Sequence, residues 1–339
     1  MDHSVWSVSA RDVAVIAHGG ELGGLRQAFP DAPRPWLDLS TGINPVPYPV
    51  PRIEASAWLR LPEASGVAAL REAAAGAYGA PDAGHVVPAP GTQILIETLP
   101  RLVAPTEVAI LGPTYAEHAA AWRRAGHAVR EVSAPDGIGT ARVAVIVDPN
   151  NPDGRTLPLA ERRDLAGVMR ARGGLLLADE AFADLEPVES LCPHAGPGLV
   201  VLRSFGKTYG LAGLRLGFAV ADPDTAARIA AALGPWAVSG PALAIGTAAL
   251  SDAAWREEAS RARGADADRL DRMILRGGGC LVGGTRLFRT ADFPDGAGLY
   301  RRLAEAGIAV RRFAERPERL RFGLPPDKDA WCRLSRVLK

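Results

Sequence analysis

The sequence predicts an α/β fold built on a mostly parallel β-sheet, together with a smaller α+β unit. Apolar runs such as Val143–Val147 and Leu199–Arg203 lack alternation, which is typical of strands covered on both faces. A segment with helical periodicity, Leu159–Arg172, lies between two such runs. Turn formers and glycines follow the predicted strands, so a ligand site is expected at the carboxyl ends of these strands.

The elements can be predicted in chain order. Phe29–Arg52 is rich in proline and predicted to be irregular, whereas Ile94–Leu99 has a helical pattern. Buried strands are predicted at Val143–Val147, Leu175–Ala178, Leu199–Arg203 and Leu216–Val220, and helices at Leu159–Arg172, Ala242–Leu250 and Asp252–Met273. The small unit is predicted from Leu287–Arg289, Leu299–Glu305, Ile308–Arg311 and Leu320–Phe322. We therefore divide the chain into an N-terminal arm at 1–45 that is part of the small domain, a large domain at 46–250 and a C-terminal small domain at 251–339.

Composition excludes several classes of partner. The 339 residues contain 39 Lys and Arg against 38 Asp and Glu, which gives a net charge of +1 and no basic excess for nucleic acid. The three cysteines, Cys192, Cys280 and Cys332, have neither CxxC nor zinc spacing, so we expect free thiols and no metal site. The sequence has no apolar run of about 20 residues and no signal peptide, which predicts a cytoplasmic protein without a membrane partner.

One lysine has unusual surroundings. Lys207 lies in a turn of small residues directly after the predicted strand Leu199–Arg203. Burial lowers the pKa of a lysine and leaves the neutral amine that forms a Schiff base with a carbonyl. Ser204 and Arg215 lie close to it in sequence and could both contact a phosphate group. The sequence therefore predicts a lysine nucleophile beside an anion site.

This segment resembles the lysine signature of the class I/II aminotransferase family, whose members are fold-type I enzymes that use pyridoxal 5′-phosphate (PLP). The shared positions are Ser204, Lys207, Gly213, Arg215 and Gly217. The resemblance implies a Schiff base between PLP and Lys207, with the cofactor phosphate bound by Ser204 and Arg215, in the segment 46–250. Gly206 departs from the family pattern, which often has a second serine at this position.

Three further segments agree with this family in the required order. Gly91 and Thr92 precede a helical pattern, where backbone amides can bind the cofactor phosphate. The resemblance implies that Tyr115 stacks on the pyridine ring and that the amide of Asn151 donates to the cofactor's phenolic oxygen. Asp179 ends a buried strand, and the family uses this carboxylate to keep the pyridine nitrogen protonated.

Two positions near Asp179 bear on its assignment. Glu180 is a structural competitor, but the spacing to Phe182 favours Asp179. Phe182 stands where many relatives have a tyrosine that contacts the same cofactor oxygen as Asn151. Near the C-terminus, Arg321 matches the arginine that binds the substrate carboxylate, although other arginines lie nearby in the sequence.

Two N-terminal segments suggest the reaction. His18-Gly19-Gly20 and Leu37–Pro45 resemble the threonine-phosphate decarboxylases within this family. That resemblance implies PLP-dependent decarboxylation of L-threonine O-3-phosphate to (R)-1-aminopropan-2-yl phosphate and CO2 in cobalamin (vitamin B12) biosynthesis. It also implies that the His-Gly-Gly arm reaches a neighbouring active site, while the sequence alone leaves open whether His18 acts in its own subunit or in the neighbouring one. The small phosphorylated amino acid would be held by His18, Gly19, Asn44 and Arg321.

Two alternatives stay open at this stage. One is an aminotransferase for histidinol phosphate or a related substrate, since the fold alone does not select the reaction. The other is a non-catalytic scaffold subunit, suggested by Phe182 and by Leu61, which stands where relatives often have a tyrosine that reaches the partner's cofactor. The family resemblance nevertheless implies a homodimer.

Overall fold

The computed structural model describes residue 16 and residues 18–339. The strands of this part of the chain are β1 (Leu37–Leu39), β2 (Val86–Ala89), β3 (Glu107–Leu111), β4 (Ala128–Val132), β5 (Val143–Val147), β6 (Leu175–Asp179), β7 (Leu199–Ser204), β8 (Gly217–Ala221), β9 (Cys280–Thr285), β10 (Phe288–Asp292), β11 (Ile308–Phe313) and β12 (Arg316–Gly323). The α-helices of the same residues are α1 (Gly23–Ala28), α2 (Ala55–Leu59), α3 (Ala64–Tyr78), α4 (Thr92–Thr98), α5 (Ala116–Arg124), α6 (Leu159–Ala171), α7 (Phe205–Thr208), α8 (Pro223–Leu233), α9 (Gly240–Ser251), α10 (Ala253–Arg276), α11 (Gly296–Glu305) and α12 (Lys328–Val337).

The large sheet has the strand order β2-β8-β7-β6-β5-β3-β4. Strands β7, β6, β5, β3 and β4 pair in parallel, and β8 runs antiparallel to both β7 and β2. The predicted α/β fold with a mostly parallel sheet is therefore confirmed. The order matters for function because it places the ends of β5, β6 and β7 side by side.

The large sheet is buried on both faces. Along β5, Ala144 and Ile146 pack into one apolar cluster and Val143 and Val145 into another. Every residue of this strand is buried, so the absence of alternation in the sequence has a direct structural cause. The first cluster is covered mainly by α3, α6 and α9, and the second contains Trp122 from α5.

A second sheet has the order β1-β11-β12-β10-β9. β1 pairs in parallel with β11, and Leu39 packs in the same cluster as Val310 and Phe322. Residues 37–39 of the predicted arm thus lie with the C-terminal strands. The exact domain boundaries stay a prediction.

The two sheets meet beside the turn that follows β5. A Cβ atom on Gly154 would lie 2.0 Å from the carbonyl oxygen of Gly284, and the Thr290 hydroxyl donates to the Pro152 carbonyl at 2.5 Å. This close approach requires glycine and fixes the turn containing Asn151 against the small sheet. Within residue 16 and residues 18–339, no helix combines the length and apolar character needed to cross a bilayer.

Candidate active site

A cavity of about 350 Å³ lies at the carboxyl ends of β5, β6 and β7. It is lined by eleven of the residues proposed from sequence: His18, Gly19, Gly91, Thr92, Tyr115, Asn151, Asp179, Ser204, Lys207, Arg215 and Arg321. A larger cavity of about 560 Å³ between α3, β2 and α8 has Arg71 as its one ionisable lining residue. The smaller cavity is therefore the candidate active site, since it combines several ionisable groups at a parallel-strand edge.

Lys207 is half-buried in the short helix α7 directly after β7. Burial lowers the pKa of its ammonium group, and the charges of Arg321 and Arg215 lower it further, against the opposing effect of Asp179. The Lys207 carbonyl accepts a hydrogen bond from the Asn44 N–H at 2.9 Å. The chain thus fixes the backbone of Lys207 and favours its neutral amine.

The presence of glycine rather than serine at position 206 has a steric explanation. A Cβ atom at this position would lie 2.8 Å from the Cα atom of Ala212, closer than real contacts allow. The serine that many family members have there would require the turn before Arg215 to shift.

Asp179 ends β6 and is buried at the floor of the cavity. Its Oδ2 lies 2.9 Å from Nε2 of His118, and its Oδ1 accepts from the Ala181 N–H at 3.0 Å. Burial raises the pKa of this carboxyl, but the hydrogen bond and charge of His118 and the charge of Lys207 outweigh burial, so the pKa lies below its ordinary value. Asp179 is therefore held as a carboxylate.

His118 was not identified from the sequence. It is fully buried on α5, three positions after Tyr115. The helical spacing is a signal that could have found it, because residues three apart share a helix face. Without that comparison, a single histidine in a helical segment gives no indication of a functional role.

Five residues form a small cradle in one part of the cavity. Gly91 has φ +88°, and a Cβ atom there would lie 2.6 Å from Nη2 of Arg215. A Cβ atom on Gly217 would lie 2.6 Å from the Thr92 nitrogen. Thr92 and Ser204, which both carry hydroxyl groups, line the same cavity. Arg215 adopts φ +55°, an uncommon conformation that is often found at functional sites. The cradle supplies a guanidinium and two hydroxyls, a donor set suited to phosphate.

Arg321 connects the small sheet to the cavity. Its Nη1 donates to Oδ1 of Asn151, and its Nη2 donates to the Ser40 carbonyl at 2.9 Å. Because Arg321 occupies Oδ1 of Asn151, the amide nitrogen remains the donor that Asn151 can offer to a ligand. Burial lowers the pKa of Arg321 to about 10, and the charge of Arg311 adds to this effect.

Arg311 is a second arginine that sequence reasoning did not single out. It lies opposite Arg321 in the antiparallel register of β11 and β12 and is half-buried. Burial lowers its pKa, while the nearby Tyr115 opposes that change. Within residues 18–339, neither Arg311 nor Arg321 forms a salt bridge with a carboxylate. Two adjacent cations are therefore without a carboxylate partner among the described residues, which suits the binding of an anionic ligand.

Tyr115 separates these arginines from the N-terminal arm. Its hydroxyl donates to Oε1 of Gln93 at 3.1 Å, and its ring centroid lies 6.1 Å from that of His18. Burial raises the pKa of Tyr115 to about 12, with contributions from Glu117 and Asp179, so the phenol stays protonated.

His18 and Gly19 lie at the cavity of their own chain. Nε2 of His18 is 2.8 Å from Oε1 of Glu117, and a Cβ atom on Gly19 would lie 2.3 Å from the Ser40 carbonyl oxygen. Glu117 on α5 holds the histidine at this cavity, and the expectation that the arm reaches a neighbouring active site stays a prediction.

Asn44 is placed differently from expectation. Its side chain is buried and does not line the cavity. Nδ2 donates to the Thr208 carbonyl at 2.9 Å, and Oδ1 accepts from the Val46 N–H at 3.1 Å and from Arg263 at 3.2 Å. With these bonds made, Asn44 is not a substrate ligand. It supports the backbone around Lys207.

Comparison with known proteins identifies the family. The sequence model for aminotransferase class I and II matches residues 35–330. A threonine-phosphate decarboxylase from Pseudomonas aeruginosa is 42% identical over 328 residues, covering 96% of this chain and 97% of the relative. A threonine-phosphate decarboxylase from Sinorhizobium sp. is 45% identical over 333 residues, covering 96% and 98%. The solved histidinol-phosphate aminotransferase from Sinorhizobium meliloti, in complex with pyridoxal-5′-phosphate, has a TM-score of 0.78 and 21% identity over 99% of this chain and 98% of its own, which shows a shared fold. This chain therefore belongs to the aminotransferase class I and II family.

Proposed function

We propose that this protein is a PLP-dependent decarboxylase of L-threonine O-3-phosphate, a carboxy-lyase that releases CO2 and (R)-1-aminopropan-2-yl phosphate. Its similarity over nearly the full chain to two threonine-phosphate decarboxylases supports this reaction. The structural observation that carries the proposal is the pair Arg311 and Arg321, which has no carboxylate partner within residues 18–339. Arg321 lines the same cavity as Lys207 and Asp179, and Arg311 lies opposite Arg321 in the register of β11 and β12. The substrate carries both a carboxylate and a phosphate, which suits two adjacent cations.

The cavity fits PLP by the chemistry of its groups. A neutral lysine amine suits the aldehyde, the Asp179 carboxylate suits the pyridine nitrogen, and the cradle around Arg215 suits the phosphate. Tyr115 offers an aromatic face at the same cavity. We propose that Gly91, Thr92, Ser204 and Arg215 hold the phosphate of the cofactor, and that Asn151 donates to its phenolic oxygen.

When bound, PLP supplies an aldehyde carbon and a protonated pyridine ring that withdraws electrons from the reacting carbon. Asp179 acts by holding a proton on that nitrogen, and His118 keeps Asp179 ionised. Loss of CO2 breaks the bond from Cα to the carboxylate and leaves the electron pair on the substrate, which then needs one proton at Cα. Lys207 is the candidate donor of that proton, because it lines the cavity and burial lowers the pKa of its ammonium group, which makes proton release easier.

The anionic groups of the substrate would be bound on the small-sheet side. We assign the carboxylate to Arg321, which Asn151 and Ser40 hold in place. We assign the phosphate to Arg311 and His18, since both neighbour Tyr115. Gly19 lets the arm approach Ser40 closely enough to bring His18 to the cavity.

A single pair of assays tests the proposed reaction against the aminotransferase alternative. The holoenzyme is incubated with L-threonine O-3-phosphate in the absence of any keto acid, and CO2 is measured. It is then offered histidinol phosphate with 2-oxoglutarate, and glutamate is measured. Stoichiometric CO2 supports the decarboxylase, whereas glutamate formation without CO2 release would overturn it.

We also propose that the protein is a homodimer. An exposed apolar face is formed by Trp58, Leu59, Leu61 and Trp236, which are 59% to 82% exposed. A Cβ atom on Gly240 would lie 2.2 Å from the Ala57 carbonyl oxygen, so the start of α9, which follows Trp236 in the chain, approaches the segment that carries Trp58 and Leu59. Apolar patches of this kind mark protein interfaces. A role in cobalamin biosynthesis and a cytoplasmic location stay predictions.

A further inference from the structure

We propose that Glu117 is a positioning residue that holds His18 at the mouth of the cavity, where the histidine receives the substrate phosphate. This inference rests on the proposed function and extends it to a residue that does not contact the substrate. It explains why a buried acid lies next to a site for a doubly negative group, where an unpaired carboxylate would repel the ligand.

The geometry around Glu117 is that of an anchored carboxylate. The residue is buried in the first turn of α5, and its Oε1 lies 2.8 Å from Nε2 of His18. Its Oε2 accepts from Nε2 of Gln93 at 3.4 Å and from Nη2 of Arg124 at 3.5 Å. Both oxygens are thus occupied, and the position of the carboxylate is fixed by three partners.

His18 depends on this contact for its position. Among the described residues, two hydrogen bonds hold residues 18–20 to the rest of the chain: the one to Glu117 and the one from the Gly20 N–H to the Ser40 hydroxyl at 2.7 Å. The imidazole is also 43% exposed, so packing does not restrain it strongly. Without Glu117 the His18 side chain would rotate among several rotamers, and its imidazole would no longer be held in one orientation toward the cavity.

The ring chemistry makes the pair suitable for phosphate. A histidine that donates through Nε2 to a carboxylate can bind a phosphate through Nδ1, and only the doubly protonated ring donates through both nitrogens. Glu117 therefore selects which nitrogen of His18 faces the ligand. Gln93 joins this arrangement to Tyr115, whose hydroxyl donates to the other end of the Gln93 amide.

The test measures binding as well as turnover. The Kd of (R)-1-aminopropan-2-yl phosphate, which carries the phosphate but no carboxylate, is measured by calorimetry on the holoenzyme. We expect Glu117→Ala to raise this Kd about tenfold, the size of one charged hydrogen bond, and Glu117→Gln to give an intermediate value. The KM for L-threonine O-3-phosphate should rise by a similar factor, with a smaller change in kcat.

Two controls separate positioning from a general loss of structure. Glu97→Gln removes another carboxylate that contacts Arg124 but not His18, and we expect it to leave Kd and KM unchanged. In a His18→Ala background, Glu117→Ala should have no further effect on Kd, because a positioning residue acts only through the group it holds.

The outcomes distinguish this inference from the proposed function. If the wild-type holoenzyme releases no CO2, the proposed function fails. If it does release CO2 but Glu117→Ala leaves Kd unchanged, or lowers affinity equally in the His18→Ala background, the role of Glu117 is overturned.

Discussion

Replacing His118 with phenylalanine tests whether the electrostatics of Asp179 set the rate of the reaction. The two rings have similar size, and His118 has no exposed surface, so the substitution mainly removes the hydrogen bond at 2.9 Å to Oδ2 of Asp179. Nδ1 of His118 has no hydrogen-bond partner among the described residues, so no second contact is lost.

The expected magnitude follows from that one bond. A hydrogen bond to a charged group contributes about 1.5–3 kcal/mol. If the bond serves to keep Asp179 ionised, its loss should lower kcat about 10- to 100-fold. His118→Asn keeps a donor of different reach and should give a smaller decrease.

The pH dependence provides a second readout with a definite sign. The folded protein holds the pKa of Asp179 below its ordinary value. The ionised carboxylate therefore contributes to folding stability above the ordinary aspartate pKa, and this contribution is lost as the pH falls through the lowered pKa. Removing His118 raises that pKa. The acid limb of the kcat profile for CO2 release should therefore move to higher pH in His118→Phe.

His127→Phe is the matched control. This histidine is also buried, but it lies at the opposite end of α5, where its Nε2 is 2.9 Å from the Pro100 carbonyl. Its loss should lower the thermal midpoint without shifting the acid limb. Equal pH profiles for wild type and His118→Phe would refute the assigned role of His118.

Three further substitutions probe other parts of the molecule. Arg311→Gln should raise the KM for L-threonine O-3-phosphate about tenfold because it removes a cation that has no carboxylate partner in the described part of the chain; an unchanged KM would assign the phosphate to other groups. Gly206→Ala should destabilise the fold by about 1–3 kcal/mol, because the new Cβ would lie 2.8 Å from Cα of Ala212. A thermal midpoint equal to that of wild type would show that the turn relaxes freely. Trp58→Glu combined with Leu59→Glu should yield a monomer in sedimentation experiments, and a persistent dimer would place the interface elsewhere.

The central strands and the two central acid–base residues could be predicted from sequence because local pattern determines them. A buried strand covered on both faces needs a continuous apolar run, and β5, β6 and β7 have one. Asp179 ends one such run and Lys207 closely follows another, so these two ionisable residues are easy to recognise next to apolar sequence. Edge strand β4 has a mixed sequence with exposed positions and was not predicted for that reason.

The remaining parts of the site depend on pairings that are distant in sequence. His118 reaches Asp179 across 61 residues because β3 and β5 pair in the sheet and bring α5 over the end of β6. Arg311 is distinguished from neighbouring arginines only by its register opposite Arg321. Asn44 is the opposite case, since the sequence predicted a substrate-binding role for it. In the structure its side chain instead forms hydrogen bonds to the backbone of Thr208 and Val46.

The choice between decarboxylation and amino-group transfer must lie outside the groups that bind the cofactor. Lys207, Asp179 and the cradle around Arg215 would serve either reaction, since both begin with the same amine and the same electron-withdrawing ring. Which bond to Cα breaks would depend on how the protein orients the bound substrate, so contacts remote from Cα would decide the outcome. In this chain those contacts come from two sides: Arg321 is fixed by Asn151 and Ser40, and His18 is fixed by Glu117. A substrate bound between Arg321 and His18 would have two anionic groups held at once, which would restrict rotation about the bond between Cα and the amine nitrogen.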